Sequence, residues 1–498
     1  MAASVHSAAL RGAVWMFAAK IVTFVLNLAV IRRVNAAVFG VVSVELDLYL
    51  STVLFLAREA VRRVAIRHDA VRDARQIVQL SWLAAALGTV LAALALPLFA
   101  DTARADASAH YAALVLYGLA AVLELLGEAA FNLVQGRMLF AVRGIGEMVA
   151  LLLRAVAIAG LVYGAGWAGY APFVIGQLLQ SAATSVILTA ALVRGADAPL
   201  AARDLLPSAS GMLLAARTHW RLFAGFQVQS VLKLVLAKGE HLFFVFVLAA
   251  DGAVREQMGT YAAVSHLGSL VVRLVFAVVE EQAFTTFSKE TDAARRGALL
   301  AIIVRAMGLL GLLFAAFGPP YAFYVVHLLY GASWSDGDAP LLLGHYAVYV
   351  AVLGINGVLE AFVHAVATKD QLGRLNRLLV VNCAVQLASA YVLLPVFGVS
   401  GLILANGLAM LVRIGQNVSF VRWHQPAVEL HAALPLPVTL GAYALAALAA
   451  RAVSTASWTT DLAVGAVAVG LVLLTVARFE QDAVRSLATV LRSKEKRQ

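Results

Sequence analysis

Apolar runs of about 20 residues recur from one end of this chain to the other, each long enough for one helical crossing of a bilayer core. No water is present there to bond a backbone N–H or C=O, so such a run folds as a helix that satisfies its own backbone. On that ~20-residue ruler about fourteen transmembrane helices are expected, centred near residues 20, 47, 88, 122, 155, 181, 232, 272, 307, 353, 385, 410, 442 and 469. Composition agrees: 62% of the 498 residues are hydrophobic and 13% charged, where soluble globular domains carry about 25% charge. The fold class is therefore all-α, a polytopic membrane protein with no large soluble domain. The first run, Ala9 to Ile31, is too long for a cleavable signal peptide and ends in Arg32-Arg33. The single cysteine, Cys383, lies inside an apolar run, so no intrachain disulfide can form.

Net charge is +10, but the basic residues sit in short connections between runs, which points to topology and away from nucleic acid. The connection after the second run holds Arg58, Arg62, Arg63, Arg67, Arg72 and Arg75. Later even-numbered connections are basic too, as at Arg137 and Arg143 or Lys369, Arg374 and Arg377, whereas odd ones from the third on are neutral or acidic. By the positive-inside rule both termini face the cytosol, and the tail with Arg492, Lys494, Lys496 and Arg497 lies near anionic headgroups. The one N-x-S/T sequon, Asn417-Val-Ser419, then falls at the cytosolic end of the twelfth run and stays unglycosylated.

The longest polar connection, Arg194 to Arg217, comes after the sixth run and holds Pro199, Pro207 and an amphipathic piece from Met212 to Arg217 suited to the interface. It divides the chain into a six-helix lobe at 1–193, a linker at 194–217, a second six-helix lobe at 218–421, and two further spans with the tail at 422–498. Two six-helix lobes predict a transporter with a central cavity between them. Gly318-Pro319-Pro320 predicts a helix break, leaving Tyr321 to Tyr330 as a separate re-entrant or interfacial segment.

Charges inside the runs carry the functional signal, because each costs at least ~2.5–3.5 kcal/mol at the centre of a lipid-facing helix. The stretch Trp220 to Phe287 is richest, with Lys233 and Glu240, then Arg273 and Glu280, each pair seven residues apart on one helix face, and Glu281 beside them. Lys20, Glu124, Glu128, Arg154, Asn356, Glu360, Asn406 and Arg413 add to the set. Glu124 and Glu128 share a face at i, i+4 and need a cation, a proton or water between them. Arg58 and Arg62 likewise share a face, with Arg63 beside them, and need an anion against both. Such a lining suits an anionic, hydrophilic headgroup such as a diphosphate bearing sugars, since guanidinium groups bind phosphate oxygens in pairs. No phosphate-binding glycine loop, paired-histidine metal helix or nucleophile elbow occurs, and Asp336-Gly-Asp338 is ordinary turn chemistry. No catalytic residue, metal or cofactor is expected.

A resemblance rests on these same residues. Thr23 to Asn27, Ser51 to Ala60 with Arg62-Arg63, Glu124-Leu-Leu-Gly-Glu128, Leu232-Lys233-Leu through Glu240, Leu267 to Arg273 with Glu280-Glu281, Ile355 to Glu360, and Leu404-Ala-Asn406 with Arg413 resemble the eukaryotic ER proteins of dolichol-linked oligosaccharide translocation. That family is similar in architecture to the lipid II flippases and the multidrug and toxin extruders. The last two spans match only in being apolar. The resemblance implies movement of the pentamannosyl-chitobiosyl diphosphodolichol intermediate from the cytosolic to the lumenal leaflet of the ER membrane for N-glycosylation, by the chain itself or with its help. Its partners would be that dolichol-linked oligosaccharide and membrane lipids; protein partners are not readable. Two alternatives remain: a non-transporting scaffold of the same pathway, and a polytopic glycosyltransferase. The second needs acidic residues in a substantial first lumenal loop, and here that loop is only Arg32 to Ala37.

Overall fold

The computed structural model describes residues 19–66, 74–101, 104–194, 201–247, 252–424, 430–453, 458–483 and 485. Arg67, Arg72, Pro199 and the basic C-terminal tail lie outside them. The described residues are mostly helical, in fourteen successive long helices with short helical turns at Ala202–Leu205, Ala332–Ser335 and Leu430–Ala433 between them. They are α1 (residues 19–33), α2 (Ala36–Gly40, a π turn at Val41–Leu46, then Asp47–Ile66), α3 (Ala74–Phe99), and α4 (Ala107–Leu126, turning at Gly127 into Glu128–Gly136). Next come α5 (Phe140–Ala159 with a π turn at Gly160–Gly164), α6 (Ala171–Arg194), α7 (Ala209–Val247) and α8 (Gly252–Val271, a π turn at Val272–Phe276, then Ala277–Lys289). The remainder are α9 (Ala293–Tyr330), α10 (Ala339–Val366), α11 (Lys369–Phe397), α12 (Ser400–His424), α13 (Pro437–Val453) and α14 (Trp458–Phe479). Among the described residues twelve are long and apolar enough to cross a membrane. The other two are α1, described only from residue 19, and α7, whose apolar character is diluted by Gln227, Gln229, Lys233, Lys238 and Glu240.

Two compact units divide the chain, Met1–Gly259 and Thr260–Gln498. The division falls inside α8, and α7 packs on α2 and α3 of the first unit. In that unit the start of α8 crosses the start of α2 at backbone contact: a Cβ on Gly259 would stand 1.8 Å from the carbonyl oxygen of Ala36. Small residues permit such crossings in lipid, where no hydrophobic effect drives helices together. Val78, Phe131, Leu133, Val134, Leu188 and Leu192 form a core where α3, α4 and α6 meet. The segment before α7 is tied to it by Trp82, whose Nε1 donates to Leu205 O at 2.8 Å. The amphipathic run Met212 to Arg217 forms the first turns of α7 itself, which at 39 residues is roughly 58 Å long.

The second unit corrects one expectation. Gly318-Pro319-Pro320 does not break the chain: α9 runs unbroken for 38 residues and ends at Gly331, where φ is 92°. A proline in a membrane helix is tolerated when neighbours hold the turn it weakens. Here α10 lies against Pro319 through Gly344, and past the prolines Tyr321 Oη donates to Asp461 O at 2.9 Å while Tyr324 donates to the Asp461 side chain. Asp461 belongs to α14, whose Ala468 and Val472 join Leu309 and Phe317 of α9 and Tyr443 of α13 in one core. At the other end buried Glu480 accepts from Leu436 N at 2.7 Å, Thr439 Oγ1 at 3.1 Å and Arg305 Nη1 at 3.3 Å. The last two helices, which read as merely apolar, are thus clamped to α9 by a buried acid at each end.

Candidate functional site

The sequence flags two like-charged pairs, one on α2 and one on α4, and the fold sets them against each other. Arg58 Nη1 meets Glu124 Oε1, and Arg62 forks onto Glu128, with Nη2 to Oε2 at 2.9 Å. Each arginine relieves the repulsion between the glutamates, and each glutamate that between the arginines. The anions against Arg58 and Arg62 are therefore carboxylates of the chain itself. Glu128 is 1% exposed, and the Arg62 guanidinium covers the Phe131 ring at 3.6 Å. The turn at Gly127 lets Glu124 and Glu128 face α2 from two helix segments. Ser181 Oγ on α6 donates to Glu124 Oε2 at 3.4 Å. Beside this ladder lies a cavity of about 280 Å³, walled further by Glu147 of α5 and by Gln180, Thr184 and Ser185 of α6. Arg63 points elsewhere, to Glu59 at 2.6 Å and Gln229 of α7 at 3.0 Å.

The first unit holds two further polar contacts. Lys238 Nζ of α7 meets Asp47 Oδ2 of α2 at 2.6 Å, and Arg154 Nη1 donates to Gln180 Oε1 at 3.1 Å. Toward the other end of α2, Glu45 in the first π turn accepts from Arg104 Nη1 at 2.7 Å, and Arg104 Nε also meets Asp106 at 3.1 Å. Burial pushes the Asp106 carboxyl up, but the Tyr170 hydroxyl and Arg104 outweigh it and hold the group below the usual carboxylate range.

The second unit has its own centre. Arg413 Nη2 on α12 bonds both oxygens of Glu360 on α10, at 2.7 and 2.6 Å, and Asn356 Nδ2 donates to Glu360 Oε2 at 3.1 Å. Gln386 donates to Asn406 at 2.9 Å, joining α11 to α12. Glu280 of α8 presses on α10 at Gly357, where a Cβ would fall 1.7 Å from Glu280 Oε1.

Two pairs expected from spacing do not form. Lys233 is exposed and makes no ion pair with Glu240, which is half-buried; the cation of α7 that finds a carboxylate is Lys238. Arg273 does not reach Glu280, and its guanidinium bonds the carbonyls of His266 at 3.2 Å and Ser269 at 3.4 Å. Residues seven apart are about 10.5 Å apart along the axis at 1.5 Å per residue, and the π turn holding Arg273 rotates the remainder of α8 about its axis. Lys20 and Glu281 are also exposed. Gln180, Thr184 and Ser185, which wall the cavity, were not flagged by the sequence: polar uncharged residues in an apolar run give no sign of which face they take.

A sequence model of the family described as Rft-1: Rft protein matches residues 11–489. The chain belongs to the Rft protein family. Similar Rft relatives include the "Man(5)GlcNAc(2)-PP-dolichol translocation protein RFT1" of Mus musculus, 32% identical over 95% of this chain and 94% of the relative. The Xenopus tropicalis protein of the same name is 30% identical over 86% of this chain and 84% of its own length. In fold, this Rft chain is similar to the lipid II flippase MurJ in an inward closed conformation, with TM-score 0.68 at 12% identity, covering 95% of this chain and 100% of MurJ. An inward-facing multidrug resistance MATE family transporter of the MOP superfamily gives 0.59 at 15% identity, covering 82% of this chain and 95% of that one. The Rft chain thus shares a fold with these proteins over 82–95% of its length, and the resemblance drawn from its motifs holds.

Proposed function

We propose that the chain carries a diphosphodolichol-linked oligosaccharide of the Man5GlcNAc2 type from the cytosolic to the lumenal leaflet of the ER membrane, with both termini cytosolic. The supporting observation is similarity along nearly its whole length to proteins named for that translocation. A diphosphate with seven sugars cannot enter hydrocarbon bare, because burying an unpaired charge costs many kcal/mol. A carrier must therefore offer cations that no carboxylate already neutralises. Lys20 and Lys233 in the first unit and Arg273 in the second are among the described cations that meet that condition, for no carboxylate lies within ion-pair distance of them. We assign a diphosphate contact to each of these cations within its own unit, and to Arg58, Arg62 and Arg413 a supporting part.

The test is reconstitution of purified protein into vesicles that carry the glycolipid, with the fraction open to an external mannosidase as readout. Wild-type protein should expose or protect the pool from both leaflets, and Arg273→Ala should slow the exchange at least about tenfold, the worth of ~1.4 kcal/mol of lost phosphate contact. The control is Arg295→Ala; Arg295 is 78% exposed, whereas Arg296 is half-buried and bonds Glu290 O. Absence of exchange with wild-type protein, alongside normal N-glycosylation in cells, would leave the chain an assistant of another carrier.

A further inference from the structure

The cavity beside the Arg–Glu ladder is ill suited to a phosphate despite its arginines. Arg58 and Arg62 are matched by Glu124 and Glu128, and the third wall carboxylate, Glu147, is held by Arg143 at 2.9 Å. An entering diphosphate would find no free cation there and would face three carboxylates. What the wall does offer is uncommitted hydrogen-bonding capacity of both kinds. Arg58 spends Nη1 on its glutamate and Arg62 spends Nε and Nη2, which leaves N–H groups on both. Gln180 accepts from Arg154 through Oε1 and keeps its amide N–H₂. Thr184 and Ser185 give their protons to the carbonyls of Gln180 at 2.9 Å and Leu123 at 2.7 Å, and keep lone pairs as acceptors. All of these side chains line the cavity. A volume of 280 Å³ equals roughly nine waters at about 30 Å³ each.

We propose that this cavity is a subsite for a neutral, hydroxyl-rich ring, a sugar of the transported headgroup, and not for its diphosphate. A hydroxyl is donor and acceptor at once, so a polyol is matched by a wall on which donors and acceptors alternate and charges cancel. The proposal rests on the glycolipid reading above and adds to it a division of labour, with phosphate handled by the unpaired cations and sugar by the paired ones. The ladder then acts as a rigid frame, because each ion fixes the orientation of the other's spare atoms.

The experiment titrates two probes, the free oligosaccharide Man5GlcNAc2 and inorganic pyrophosphate, into the full chain in lipid nanodiscs, with heat of binding as readout. Wild-type protein should bind the oligosaccharide, and pyrophosphate should not displace it. Gln180→Leu, which leaves the ladder intact, should weaken binding about fivefold, the worth of one hydrogen bond. Arg295→Ala, at a residue 78% exposed and outside the cavity lining, should leave oligosaccharide affinity unchanged. No binding by wild-type protein, displacement by pyrophosphate, or unchanged binding by Gln180→Leu would each overturn the subsite. Vesicle exchange on the same preparations keeps the two conclusions apart. Exchange without oligosaccharide binding removes the subsite and leaves transport standing; binding without exchange does the reverse.

Discussion

Arg62→Ala is the sharpest probe of the ladder, because its partner cannot reach water. Glu128 is 1% exposed, so removing Arg62 strands a buried carboxylate, a change that costs about 3–5 kcal/mol in buried pairs. Glu128→Ala should cost less, since Arg62 still covers Phe131 and a long guanidinium side chain can snorkel toward water. Arg63→Ala breaks a half-buried i, i+4 pair worth only about 0.3–0.5 kcal/mol. The assay is thermal unfolding in detergent of the single variants and of Arg62→Ala/Glu128→Ala, analysed as a double-mutant cycle. A coupling below about 0.5 kcal/mol, or equal losses for Arg62→Ala and Arg63→Ala, would refute the claim that the pair is a buried, mutually dependent unit.

Two other predictions concern the frame of each unit. Gly259→Leu places a side chain where a Cβ alone already overlaps Ala36 O at 1.8 Å, and it should sharply lower the yield of folded protein. Gly415→Ala meets nothing within 4 Å and should be neutral or stabilising by about 0.5–1 kcal/mol; equal yields of the two proteins would show that α2 and α8 do not cross as described. Glu480→Ala removes one acceptor from Leu436 N, Thr439 and Arg305 and should cost about 1–3 kcal/mol per stranded donor, read as a fall in melting temperature. An unchanged melting temperature would mean that the C-terminal pair is held by apolar contact alone.

The spans were legible because length and hydropathy are local properties: fourteen runs became fourteen helices, in order. Partners were not, because pairing is a tertiary relation. Sequence could say that Glu124 and Glu128 need a cation and that Arg58 and Arg62 need an anion, yet nothing local says that each pair answers the other across 66 residues. Lys233 and Glu240 mislead for a plain reason, since sharing a helix face is not the same as touching. Pro319-Pro320 misleads because the rule it invokes belongs to a helix in water, whereas this weak turn is held by Tyr321, Tyr324 and Asp461. Lys20, Lys233 and Arg273 stood in the sequence as candidate site residues, but only the fold separates them from the arginines already neutralised.

The π turns at Val41–Leu46, Gly160–Gly164 and Val272–Phe276 have a genetic consequence. A π turn holds one residue more than the α turn it replaces. In a regular α-helix, adding or deleting one residue rotates everything beyond it by about 100°, which in a membrane helix swaps the lipid face for the packed one. At a π turn the surplus residue can be lost with the helix tightening to regular α geometry. These three places are therefore where a gene of this kind can gain or lose a single codon inside a span, and where drift in length between relatives need not scramble a face.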